Sequence, residues 1–120
     1  MLGRVALLIG PALLLGACQP GGELDISVIS PDDIRISPDE DDQCISQLAV
    51  YSTRGGNADE PVWDIEDRHP ERQICIPTIR IGQTPPGWRV KVPIQRLEQG
   101  TYVVQAEAGF ARLSGRFVYR

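Results

Sequence analysis

Two runs near the end of the chain, Tyr102-Val-Val-Gln-Ala106 and Ala111-Arg-Leu-Ser-Gly-Arg-Phe-Val-Tyr119, decide the class of fold. Tyr102, Val104 and Ala106 occupy alternate positions of the first. Ala111, Leu113, Gly115, Phe117 and Tyr119 do so in the second. Successive side chains of a strand point to opposite faces, so a period of two marks one buried face and one solvated face. The same alternation recurs upstream. Trp88, Val90, Val92 and Ile94 alternate with Arg89, Lys91, Pro93 and Gln95, a half-buried strand ending near Pro93. Pro61 to Glu66 places Trp63 and Ile65 on one side. Cys44, Leu48 and Val50 form one face of another strand, with Ile45, Ala49 and Tyr51 opposite. Leu24, Ile26 and Val28 alternate with acidic and hydroxyl residues, and Ile34-Arg-Ile36 is a further short extended piece. Ile74 to Ile81 is β-branched, but Pro77 cannot donate to a ladder, so that strand is an edge or is broken there. Ser30-Pro-Asp-Asp33, the Gly-rich loop from Arg54 to Glu60 and Thr84-Pro-Pro-Gly87 supply the turns. No helical apolar stripe follows residue 18. About seven short strands separated by turns predict an all-β fold, a single small antiparallel β-sandwich.

Leu97-Glu-Gln-Gly100-Thr-Tyr102-Val-Val104 sharpens this expectation. It resembles the L-x-x-G-x-Y-x-V segment of immunoglobulin-like and transthyretin-like domains. The resemblance implies that Tyr102 anchors a corner through a bond from its hydroxyl to nearby backbone. Trp63 on a middle strand suits such a core. The cysteines depart from antibody domains, because Val104 stands where a second cysteine would be expected. The resemblance is therefore to the broad sandwich class.

The opening residues carry an address. Arg4 precedes the apolar run Val5 to Leu15, and Leu15-Gly16-Ala17-Cys18 closes it. The run is too short to span a bilayer, which needs roughly 20 residues. A charged start, a short apolar stretch and small residues before a cut read as an export signal. Leu15 to Cys18 resembles the lipobox of bacterial lipoproteins. That resemblance implies a cleaved signal-peptide helix at residues 1–17 and lipid on the thiol of Cys18. Gln19-Pro-Gly-Gly22 then reads as a short tether, residues 18–22 with the lipidated cysteine, and the period-two pattern that follows sets a β-sandwich domain over residues 23–120. Gln19 stands where an aspartate would resemble an inner-membrane retention signal. The expected location is therefore the periplasmic face of the outer membrane.

Once Cys18 is lipidated, Cys44 and Cys75 are the remaining cysteines. The periplasm is oxidising, so a disulfide between them is expected, the alternative being two separate buried thiols. No Cys-x-x-Cys occurs to suggest redox chemistry.

Nothing in the sequence assembles a catalytic set. The one histidine, His69, lies in a charged turn with no second histidine to share a metal. No Gly-x-Ser-x-Gly elbow is present. The acidic run Asp39 to Asp42 lacks the spacing of a calcium loop. We therefore expect no enzyme activity, no cofactor and no metal. A sequence pI near 4.9 argues against a nucleic-acid partner.

The charge is segregated along the chain. Residues 23–42 hold eight acids and one Arg, whereas residues 68–120 hold nine bases and three acids. Arg112, Arg116 and Arg120 share one face of the last strand, and Arg89 and Lys91 the outer face of an earlier one. These five are the candidate contacts for an anionic envelope component or an envelope protein, since guanidinium groups grip phosphate and carboxylate. The competing readings are an ordinary solvated face, or pairing within the chain between its acidic and basic segments. The sequence resembles the small lipoproteins of Gram-negative bacteria. It reads as a non-catalytic binding or structural module of the cell envelope. The alternatives are a periplasmic inhibitor of a hydrolase and an accessory lipoprotein of a secretion system.

Overall fold

A computed structural model describes residues 21–40, 43–54, 60–69, 71 and 75–120. Cys18 and the whole signal segment lie outside these residues, as does the Gly55-Gly56-Asn57 part of the Arg54–Glu60 loop. The described chain is built of strands: β1 (Gly21–Ser30), β2 (Asp33–Pro38), β3 (Gln47–Ser52), β4 (Pro61–Asp67), β5 (Ile79–Arg80), β6 (Trp88–Val92), β7 (Gly100–Ala108) and β8 (Ala111–Tyr119). They form one eight-stranded sheet in the order β5-β2-β1-β8-β7-β3-β4-β6.

The all-β expectation holds, with one strand more than the sequence suggests and one departure from antiparallel pairing. Gly21, Gly22 and Glu23 pair in parallel with Arg112, Leu113 and Ser114 of β8. Gly21 and Gly22, read from the sequence as tether, are therefore already strand. Alternation cannot show this, because glycine has no side chain to place on a face.

β1 serves two arms of the sheet. Its first three residues pair with β8, and from Leu24 onward it pairs antiparallel with β2. The sheet curls at this handover. Ile34 and Ile36 of β2 and Ile79 of β5 join Leu48, Val50, Trp63, Ile65, Val104 and Leu113 in one buried cluster. The predicted inward faces of β4, β7 and β8 are the observed ones, and Ala108 extends that of β7. Packing of these β-branched and aromatic side chains, each worth roughly 1.5–3 kcal/mol when fully buried, is the main stabilising term.

The predicted face of β6 requires correction. Val90 is 44% exposed and Ile94 41%. β6 is the last strand of its arm, so only Trp88 of this face packs against the core, while Val90 and Ile94 stay open to solvent. The face assigned to Cys44 also shifts. Strand pairing begins at Gln47, and Ile45 is buried where Cys44 is half-buried. Ala49, on the opposite face from Leu48 and Val50, is buried as well. The segment around Pro77 contributes only the two-residue edge strand β5, as a proline there predicts.

Tyr102 holds the corner between β6 and β7. Its hydroxyl donates to the Glu98 carbonyl at 2.9 Å and accepts from the Glu98 N–H at 2.8 Å. Its ring stacks on Phe117, with centroids 5.3 Å apart, and meets Tyr119 edge-on. Cys44 and Cys75 are joined in a disulfide with Cα atoms 4.9 Å apart. It ties the entry to β3, in the longer arm, to the segment leading into β5 in the shorter one.

Candidate functional surface

The outer face of the longer arm gathers most of the charged residues singled out in the sequence. Strand register sets them in rows. Arg112 stands opposite Glu107, Glu107 opposite Gln47, Gln47 opposite Glu66, and Glu66 opposite Arg89. Opposite charges face one another at both ends of this row, Arg112 with Glu107 and Glu66 with Arg89, while neutral Gln47 separates the two acids. Each opposed pair favours the register by a few tenths of a kcal/mol to about 1 kcal/mol.

The five candidate basic residues separate into two groups. Arg89 ion-pairs with Glu66, and Lys91 Nζ lies 3.6 Å from Glu66 Oε1. One carboxylate thus neutralises much of the charge that the sequence offered to a partner. The intramolecular reading applies here, although the acid comes from β4 and not from the acidic N-terminal segment. Arg112, Arg116 and Arg120 are exposed and take part in no ion pair among the described residues. Of the acidic N-terminal residues, Asp33 pairs with Arg35 at 2.9 Å and lies 3.5 Å from Arg80. The hydrogen bond from Arg35 is the main reason its carboxyl sits below the usual range.

The next row carries Ser114, Gln105, Ala49 and Asp64. With Arg112, Glu107 and Gln47 these residues line a shallow groove of about 460 Å³. Asp64 Oδ1 is buried without a hydrogen-bond partner among the described residues. Burial pushes its carboxyl above the ordinary range and Glu66 adds to the shift, while Lys91 opposes it. Sequence reading missed Asp64; a carboxylate between Trp63 and Ile65 on a central strand was the available signal.

A second hollow, about 650 Å³, lies at the far end of β8. Buried Ile34 and half-buried Leu97 and Tyr119 contribute its apolar part, and exposed Arg96, Glu98 and Arg120 its charge. Among the described residues that line it, cations surround an apolar floor.

His69 is exposed in a turn, where its N–H donates to Asp67 Oδ1 at 2.9 Å and its Nδ1 faces Glu71 at 3.5 Å. Among the described residues no three His, Cys, Asp or Glu side chains converge as metal ligands do. The β6 edge is open, but Lys91 sits at a bulge in the β4–β6 pairing and Pro93 follows the strand. Both features make an edge a poor template for another strand.

Compared with protein-family models, curated proteins and solved structures, the chain matches none.

Proposed function

We propose that the chain is a lipid-anchored protein of the cell envelope, held through Cys18 on the periplasmic face of the outer membrane. Its domain binds or supports another envelope component and performs no chemistry. The observation that carries this reading is Leu15-Gly16-Ala17-Cys18, placed directly after a short apolar run that Arg4 precedes. The Cys44–Cys75 disulfide agrees with an oxidising compartment. Arg112, Arg116 and Arg120 lack an ion-pair partner among the described residues and so supply the contacts for an anionic group. The tyrosine corner at Tyr102 and a core shared by both arms of the curled sheet support the immunoglobulin-like or transthyretin-like sandwich as its architecture.

The test is fractionation of cells making the full chain or its Cys18→Ala variant. The reading expects the parent in the membrane fraction with acyl mass on Cys18, and the variant released from it. A parent chain found soluble with an unmodified Cys18 would overturn it. Crosslinking from solubilised envelopes then identifies the partner, and Arg116→Ser with Arg120→Ser should weaken capture in a salt-sensitive way.

A further inference from the structure

Phe110 is 98% exposed, more than any other large apolar side chain among the described residues. It occupies the tip of the β7–β8 hairpin, whose last pair is Ala108 with Ala111. Gly109 precedes it at φ +63, the left-handed conformation that the first position of a tight two-residue hairpin loop requires. The loop is therefore short and well defined, and it holds a large apolar ring out in solvent.

The position of this tip becomes informative through β1. Gly21 pairs with Arg112, two residues from Phe110, and the two strands run parallel. The chain therefore enters the sheet at the Phe110 end and travels away from it. Cys18 precedes Gly21 by three residues, which reach at most about 11 Å. Adding one interstrand spacing and two residues of β8, the anchoring sulfur lies within about 25 Å of Phe110 by any path. Arg120 and the hollow beside it lie at the other end of β8, roughly 26 Å further along the strand.

We propose that Phe110 inserts into the phospholipid interface beside the Cys18 anchor and makes the β7–β8 tip the membrane-facing end of the domain. The inference rests on Cys18 being lipidated. An aromatic ring is well suited to the headgroup boundary, where its apolar body leaves water. The contact is apolar and not electrostatic. Arg112, the nearest candidate cation, stands opposite Glu107. Asp39 is hydrogen-bonded to Glu23 at the level of Ser114 on this same end. Insertion should therefore be insensitive to salt and to the fraction of anionic lipid. Two signals, lipid and ring, would fix the orientation of the domain, which a single point of attachment does not define. Arg116 and Arg120 then point into the periplasmic space.

The chain contains two phenylalanines, Phe110 and Phe117. Biosynthetic fluorophenylalanine thus gives two fluorine signals, with buried Phe117 as the internal reference. The full acylated chain would be placed in nanodiscs of phosphatidylethanolamine and phosphatidylglycerol. A lipid carrying a nitroxide near its headgroup should abolish the Phe110 signal, a water-soluble gadolinium chelate should leave it, and Phe117 should respond weakly to both. Phe110→Leu assigns the signal. Mass spectrometry of the same sample reports acylation of Cys18. An acylated chain whose Phe110 is relaxed by gadolinium and not by the lipid nitroxide overturns the insertion and leaves the anchor standing. An unacylated chain overturns both.

Discussion

Leu24 packs directly over Gly115: a Cβ added to Gly115 would stand 3.2 Å from the Leu24 Cβ and 3.3 Å from its carbonyl oxygen. This is the point at which β1 leaves its parallel pairing with β8 and crosses to the second arm. The same added atom would lie 2.8 Å from Ile26 Cδ1. A glycine on the inward face of β8 is what permits the curl.

Gly115→Ala should therefore destabilise the fold by about 1–3 kcal/mol, the usual cost of overpacking against atoms that cannot withdraw. Gly22→Ala is the matched control. Its added Cβ would meet only Leu113 Cδ2, the end of a side chain that can rotate. Urea denaturation should show a clear loss for the first variant and under about 1 kcal/mol for the second. Equal losses would mean that the handover is not a special contact.

Tyr102→Phe keeps the stacking on Phe117 and removes only the hydroxyl. Both Glu98 backbone groups then lose their partner, at a cost of about 1–3 kcal/mol. Amide exchange at Glu98 should rise further than at Val104, whose strand pairing is untouched. A variant as stable as the parent would show that the corner is held by packing alone.

What the sequence revealed and what it hid follow from one physical distinction. Periodicity reports which side of a strand is apolar, and the inner faces of β4, β7 and β8 follow from it directly. It does not report whether anything covers that side. Val90 and Ile94 have the spacing of core residues and remain exposed, because β6 is the last strand of its arm. Strand order is a long-range property, and so is the partner of a charge. Arg89 and Lys91 read as available cations until register sets Glu66 opposite Arg89 and brings it within 3.6 Å of Lys91. The Tyr102 bond is legible only through the resemblance of Leu97 to Val104 to a known corner segment, a pattern that spans eight consecutive residues and includes the partner Glu98. Parallel pairing of Gly21 and Gly22 with β8 left no trace in composition or pattern.

The disulfide joins residues 31 apart in sequence. Closing such a loop stabilises by about 3–4 kcal/mol in the chain-entropy description. A Cys44→Ser, Cys75→Ser chain should lose about that much in urea. β5 has two residues and pairs only with β2, so exchange at Ile79 and Arg80 should rise first. An unchanged midpoint, or early exchange in β7, would contradict a role in holding the two arms together.

Asp64 should make the fold less stable as pH rises above 3.8, the ordinary value of its carboxyl. Burial raises its carboxyl above the ordinary value of 3.8, so between that value and its folded value the native state holds more protons than the unfolded chain. Stability then falls as pH increases across this window and is constant above it. Asp33 acts in the opposite sense. Arg35 lowers its folded value, so its contribution is present above 3.8 and is lost as pH falls through that lower value. Asp64→Asn removes the first dependence alone. It should stabilise the protein at neutral pH by about 0.5 kcal/mol, a small figure because solvent still screens the group, with the advantage over the parent vanishing near pH 3. Denaturation midpoints of both proteins across this range check the sign. A variant less stable than the parent at neutral pH would show that Asp64 is a partner in the Lys91–Glu66 cluster and not a penalty beside it.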